Sequence, residues 1–313
     1  MLAILLILLV ASSLHTWWHL LHRWVLRQPS LEFDLQPRAR WRTAPELICV
    51  YIALLWLVAH LIPQLTPTPP VSSADRNENP STSVVNESEL GLESNSSEAS
   101  EGPERSDSAS KSNPRTNVNS ATGQIRLSRI VMSAAVNLVL MLILWSLLGS
   151  SRQGLTEFGW TFRDMSGQLL LGLQGFCAAV IPMAIALAVT IPFRRPENQH
   201  ALLKLLIESP DFWTLFLIAV TAVVCAPLLE ELLFRVILQG WLSTFFPPSL
   251  AISCVAVSFA MVHGWRDGLA LLPLAFLLGY VFQRRHRYWV VVVIHALFNA
   301  TMLCLALLNP SPQ

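Results

Sequence analysis

Long apolar stretches, separated by shorter polar segments, account for most of the chain. A helix that crosses the hydrocarbon core of a bilayer needs roughly 20 apolar residues, and most of these stretches reach or approach that length. They run over residues 1–22, 45–63, 129–149, 167–193, 212–229, 249–264, 268–283 and 288–308. The pattern predicts an all-α fold, a polytopic transmembrane bundle of about eight helices.

The fifth apolar stretch continues beyond residue 229. Within 212–245 the charged side chains all lie in the hexapeptide "EELLFR" at 230–235. As a single helix this segment is about 50 Å long, which exceeds a bilayer core of about 30 Å. Pro227 cannot donate the hydrogen bond of an interior helical residue. We therefore expect one long kinked helix, or a span followed by a second helix that carries the charged residues.

A polar segment, residues 64–125, separates the second apolar stretch from the third. It is rich in Ser, Asn, Glu and Pro and holds nine acidic against four basic residues. Such a composition buries too little apolar surface to offset the entropy of ordering. The pattern predicts a disordered, acidic extramembrane tether between a two-helix membrane anchor at 1–63 and a helical core at 126–308.

Composition supports a membrane protein and excludes several other classes. Charged residues make up 13% of the chain, against about 25% in soluble domains, and the mean hydropathy is +0.50. A net charge of +1 gives no basis for a nucleic-acid partner, so the lipid bilayer is the expected surrounding. The five cysteines lie in apolar segments without a CxxC pair, which argues against disulfides or a cysteine zinc cluster.

The distribution of arginines predicts the orientation of the chain. The segment 23–42 contains five arginines, and positively charged loops face the cytoplasm. Counting spans from that loop places the start of "EELLFR" and the basic run at 284–287 on the cytoplasmic side. With the acidic tether outside, this arrangement is typical of a bacterial inner membrane protein.

The charged cluster divides into a pair and a remaining acid. Residues four apart share one face of a helix, whereas adjacent residues diverge by about 100°. Glu231 and Arg235 are therefore expected to form a buried ion pair, which is often a structural feature. Glu230 points elsewhere and needs a partner from another helix, a water or a metal. Because an intramembrane carboxylate is costly, Glu230 is a candidate functional residue.

Further isolated polar residues lie in the later apolar stretches. The motif "FAMVH" ends at His263, and "HALFN" places His295 and Asn299 four apart on one helical face. Membrane histidines commonly form hydrogen bonds between helices, which is the structural alternative. Together with Glu230, however, these side chains are expected to line one cavity that opens toward the cytoplasm.

In this order, "EELLFR", "FAMVH" and "HALFN" resemble the motifs of the CPBP family. These are CAAX protease and bacteriocin-processing membrane proteins, and they include the Ras-converting prenyl endopeptidase. The resemblance covers about residues 150–308. It implies an intramembrane endopeptidase core whose substrate is a peptide or membrane protein, cut in its C-terminal segment.

The resemblance also implies roles for individual residues. Glu230 and His263 activate a water, and His295 and Asn299 hold the developing oxyanion. The supporting residues are Glu231, Arg235 and Phe259.

Three alternatives stay open from the sequence. Zinc held by Glu230, His263 and His295 could activate the water instead, although the chain has no HExxH motif and metal-independent activation is favoured. A non-catalytic peptide-binding or bacteriocin-immunity protein would use the same cavity. A transporter would relay protons through these residues, but no inverted repeat of broken helices is visible.

A second cluster, "HTWWHLLH", lies in the first apolar stretch. His15, His19 and His22 share one helical face, a pattern that can bind a metal or haem. The favoured interpretation is an interfacial aromatic belt, in which the neighbouring tryptophans meet the lipid headgroups. These tryptophans are Trp17, Trp18 and Trp24.

Overall fold

A computed structural model describes residues 2–31, 38–65, 114–193 and 212–308, and these ranges contain helices and no strand. The helices are α1 (Leu2–Val25), α2 (Ala44–Leu65), α3 (Pro114–Gly149), α4 (Met165–Thr190), α5 (Phe212–Leu242), α6 (Pro248–Val262), α7 (Trp265–Arg285) and α8 (Tyr288–Leu308). Short 3-10 turns occupy Leu155–Phe158 and Ile191–Phe193. The predicted all-α bundle of about eight helices is confirmed.

Five of the described helices are long and apolar enough to cross a membrane. The spans are Ala44–Pro63, Val131–Gly149, Met165–Thr190, Phe212–Leu242 and Tyr288–Leu308. The predicted spans at 249–264 and 268–283 are also helical. Of these, α6 is apolar but has only 15 residues, and α7 ends with the charged pair Arg284 and Arg285.

The helices of the predicted anchor pack against the helices of the predicted core. The indole Nε1 of Trp17 in α1 donates to the Ala178 carbonyl in α4 at 3.1 Å. In α2, the ring of Trp56 meets that of Phe234 in α5 edge-on, with centroids 5.9 Å apart. The described residues within 1–66 and 120–313 accordingly belong to one compact unit.

The predicted tether falls largely outside the described residues, at 66–113. Its last part differs from the expectation, because α3 begins at Pro114, within the range 64–125 that was assigned to the tether. The division into anchor, tether and core therefore stays a prediction.

A buried carboxylate fixes the start of α2. Glu46 is fully buried, and its Oε2 accepts the backbone N–H groups of Arg42 and Thr43 at 2.8 and 2.7 Å. Its Oε1 accepts from the Ser151 hydroxyl at 2.7 Å and from the Gln153 side-chain amide. The carboxylate thus caps α2 and joins it to the segment that follows α3. Hydrogen bonds of this kind to an ionised group are stronger than neutral ones.

Glu46→Ala is expected to destabilise the fold. The substitution leaves four hydrogen-bond donors without their acceptor at a buried site. The free energy of unfolding should therefore fall by about 3 kcal/mol. Thermal melting in detergent measures it. The matched control is Glu157→Ala, in a 3-10 turn near the same segment, whose carboxylate accepts no hydrogen bond in the described structure. Equal melting of the two variants would contradict the capping role.

Helix α5 is one continuous helix from Phe212 to Leu242, which agrees with the first expectation in its continuity, and the kink stays a prediction. It is not uniform, because π-helical turns at Thr221–Cys225 and Leu232–Gln239 flank the α-helical segment Ala226–Glu231. Pro227 lies in the first turn of that central segment. A π turn widens the helix and is frequent at functional sites. The glutamate pair is therefore carried on a short α-helical segment between two irregular turns.

Glycines allow α4 to approach α8 closely. A Cβ atom at Gly172 would lie 2.6 Å from Val293 Cγ1, and one at Gly175 would lie 2.5 Å from Ile294 Cδ1. Real Cβ atoms do not come this close, so a larger side chain at either position would push the helices apart. The contact holds α8 in place immediately beside His295.

Candidate functional site

Glu231 joins two buried partners on different helices. Its Oε2 lies 3.3 Å from the Nε of Arg235, and its Oε1 lies 2.7 Å from the Nδ1 of His295. Glu231 and Arg235 are completely buried, and the His295 side chain is 3% exposed. The predicted ion pair is therefore present, and the carboxylate also fixes the orientation of an imidazole from α8. The sequence did not predict this second contact.

Phe259 packs at the centre of these groups. The Arg235 guanidinium lies 4.9 Å from the centroid of the Phe259 ring, a cation–π distance. The same ring lies 4.8 Å from the imidazole of His263 and 5.6 Å from that of His295. Phe259 is itself fully buried. Its ring thus packs against the buried cation and against both imidazoles.

Glu230 faces both histidines. Its Oε2 lies 3.8 Å from the Nε2 of His263 and 3.8 Å from the Nε2 of His295. This oxygen is buried and makes no hydrogen bond in the described structure, although the side chain as a whole is 18% exposed. Glu230, His263 and His295 therefore come together from α5, the end of α6 and α8.

The hydrogen bond at His263 Nδ1 defines the tautomer of that ring. Nδ1 lies 2.8 Å from the carbonyl oxygen of Phe259. A carbonyl oxygen only accepts, so Nδ1 carries the proton of the neutral imidazole and Nε2 is left as an acceptor. Nε2 is the atom that faces Glu230. These two acceptors, 3.8 Å apart, are close enough to accept from one donor group placed between them.

Asn299 lies one turn after His295 on α8, but its side chain bonds to α5. The amide Nδ2 donates to the carbonyl oxygen of Ala222 at 2.8 Å. The structure shows no direct bond between Asn299 and Glu230. The shared cavity with an opening to the cytoplasm stays a prediction.

Comparison with known proteins gives one match. Residues 212–301 match the family model "Type II CAAX prenyl endopeptidase Rce1-like". We refer to this matched segment as the Rce1-like domain. The match covers less than a third of the chain, but it contains every residue of the three motifs. No curated protein and no solved structure gives a significant match.

The match confirms the family resemblance and supports a general function. The matched family is one of peptidases, and five of the described helices are long and apolar enough to cross a membrane. The chain is thus an integral membrane protein, and its residues 212–301 resemble a peptidase family.

Tyr288 is a residue of the Rce1-like domain that the sequence interpretation missed. Its hydroxyl donates to the carbonyl oxygen of Leu228 at 2.6 Å, two residues before Glu230. The ring is fully buried and stacks on Trp160, with centroids 4.4 Å apart. The spacing in the sequence could have identified Tyr288, because it precedes His295 by seven residues and so lies on the same face of α8.

The Rce1-like domain contains side chains of the types that bind zinc. His and Glu are suitable ligands, and a bond from Nδ1 to a carboxylate or carbonyl is common in zinc-bound histidines. However, the described residues contain no group of three or more His, Cys, Asp and Glu side chains arranged to hold a metal ion. Zinc stays an untested alternative.

The histidine cluster of α1 lies outside the Rce1-like domain. His15 and His19 are exposed, with ring centroids 4.5 Å apart. Both line a cavity of about 870 Å³ among α1, α4 and α7, which His22 does not line. The neighbouring Trp18 and Trp24 are largely exposed. These exposures suit an interfacial belt, which stays a prediction.

Proposed function

We propose that the chain is an intramembrane endopeptidase of the CAAX-processing type, in which Glu230 and His263 activate a water. The observation that carries the proposal is a pair of acceptors 3.8 Å apart, the buried Glu230 Oε2 and the Nε2 of the partly exposed His263. A water that donates one proton to each acceptor satisfies both. Its oxygen lone pair is then free to attack a carbonyl carbon.

The reaction begins with attack of the water oxygen on the peptide carbonyl. As the new C–O bond forms, the water proton passes to Glu230, with His263 as the second acceptor. The carbonyl π electrons move to the oxygen. When the tetrahedral intermediate collapses, the C–N bond breaks and the proton held by Glu230 passes to the leaving nitrogen. General acid–base assistance of this kind contributes roughly 10²- to 10⁴-fold.

His295 and Asn299 are proposed to stabilise the oxyanion. His295 Nδ1 bonds to Glu231, so Nε2 carries a proton for donation when the ring is an imidazolium. The Asn299 amide has two N–H groups, and its bond to Ala222 uses one of them. A single preorganised donor is worth about 3 kcal/mol in the transition state.

Turnover is expected to survive removal of metal ions, because no step depends on one. The test is hydrolysis of an internally quenched peptide that ends in a farnesylated CAAX sequence, before and after dialysis against 1,10-phenanthroline. An unchanged rate is the expected result. Loss of turnover that added Zn²⁺ restores would establish the zinc alternative.

The proposed substrate is a membrane protein or peptide that is cut in its C-terminal segment, in a bacterial inner membrane. The experiment compares membrane proteomes of a parent strain and a strain carrying Glu230→Ala. Substrates should keep their uncleaved C-termini in the variant strain. Identical C-termini in both strains, with equal amounts of the two proteins, would favour the non-catalytic binding alternative.

A further inference from the structure

One backbone carbonyl in the first π turn of α5 is left without its helical donors. The N–H of Ala226, which would serve Ala222 in an α-helix, donates to Thr221 instead. In the π register the donor to Ala222 would be residue 227, and this residue is Pro227, which has no N–H. A buried carbonyl without a partner costs about 1–3 kcal/mol.

A side chain from another helix supplies the missing donor. The Asn299 amide Nδ2 lies 2.8 Å from the Ala222 oxygen, a normal hydrogen-bond distance. We propose that Asn299 is a positioning residue, which replaces the N–H that Pro227 lacks and so holds the π turn that precedes the glutamates. This role is additional to its proposed part in the oxyanion site.

The same face of α8 holds α5 at two further points. Tyr288 donates to the carbonyl of Leu228, and His295 bonds to the carboxylate of Glu231. Tyr288, His295 and Asn299 are spaced by seven and four residues, so they form one stripe along α8. The stripe bonds α5 before and after Glu230, which itself makes no hydrogen bond through Oε2. The position of Glu230 relative to His263 therefore depends on the bonds that hold the residues beside it on α5.

The positioning role rests on the proposed function, but the bond itself can be tested without it. A thermodynamic cycle compares the wild-type protein with Asn299→Ala, Pro227→Ala and the double variant. Asn299→Ala orphans the Ala222 carbonyl and should lower the melting midpoint in detergent by about 2–4 °C. In the double variant the new N–H at position 227 can donate to Ala222, so the midpoint should return toward that of Pro227→Ala alone.

Hydrolysis of the quenched farnesylated CAAX peptide gives the second measurement of the cycle. Asn299→Ala should lower kcat by roughly 10²- to 10³-fold with little change in KM. If Asn299 positions Glu230 through Ala222, the double variant should regain at least about tenfold of the lost kcat. The control is Thr301→Val, since the Thr301 hydroxyl bonds to Leu297 within α8, and it should resemble the wild-type protein.

The outcomes separate the inference from the function. A double variant that melts like Asn299→Ala would disprove the substitute hydrogen bond. A recovered midpoint without any recovery of kcat would assign the whole loss of kcat to the oxyanion role of Asn299 and overturn the positioning role. If the wild-type protein itself does not cleave the peptide, the proposed function fails on this substrate. The melting cycle still shows whether Asn299 replaces the missing N–H donor to Ala222.

Discussion

Glu230→Gln is expected to reduce turnover by roughly 10²- to 10⁴-fold and to leave the melting midpoint unchanged. The amide cannot take a proton from water, so the assistance of the general base is lost. Stability should hold because Oε2 of Glu230 makes no hydrogen bond, and the side chain is partly exposed. Hydrolysis of the quenched farnesylated CAAX peptide, together with melting curves in detergent, measures both quantities.

The matched control for this experiment is Glu157→Gln. This glutamate is also partly exposed, but it lies outside the Rce1-like domain and its carboxylate accepts no hydrogen bond in the described structure. Its turnover should equal that of the wild-type protein. A Glu230→Gln protein that keeps more than about a tenth of wild-type activity would rule out Glu230 as the base.

The sequence predicted the members of the site because each is an expensive residue in an apolar helix. A carboxylate or imidazole in a membrane segment needs a partner, so Glu230, His263 and His295 were expected to meet. Spacing was equally informative for Glu231 and Arg235, which are one helical turn apart and form an ion pair in the structure.

The partners across helices could not be predicted from spacing. Nothing in the sequence indicates that Glu231, and not Glu230, accepts the short hydrogen bond from His295. That choice depends on the rotation of α5 relative to α8. Two π turns change this rotation, whereas Pro227 predicted only a kink or a break of the helix.

The buried Glu46 also escaped prediction. Its donors include the side chains of Ser151 and Gln153, about a hundred positions further along the chain. A single acid near the start of an apolar stretch resembles a solvated helix end, since acidic residues are common in the first helical turn. Only the packing of α2 beside the end of α3 distinguishes the two cases.

Glu231→Gln is expected to destabilise the protein by about 3–5 kcal/mol, the usual cost of breaking a buried ion pair by removing one partner. The substitution keeps the shape of the side chain but leaves the Arg235 charge uncompensated in a fully buried position. It also replaces the charged acceptor of His295 with a neutral one, which weakens that bond. Melting curves and expression yields in detergent should therefore show a much larger loss than for Glu230→Gln.

A second substitution shows whether the orphaned charge is the cause. Arg235→Met removes the cation and fills a similar volume with an apolar side chain, and apolar replacements of buried pairs are often tolerated. Combined with Glu231→Gln, it should recover a large part of the lost stability. If the double variant is instead less stable than Glu231→Gln alone, the loss arises from the bond between Glu231 and His295. Equal destabilisation by Glu230→Gln and Glu231→Gln would contradict the division between a functional and a structural glutamate.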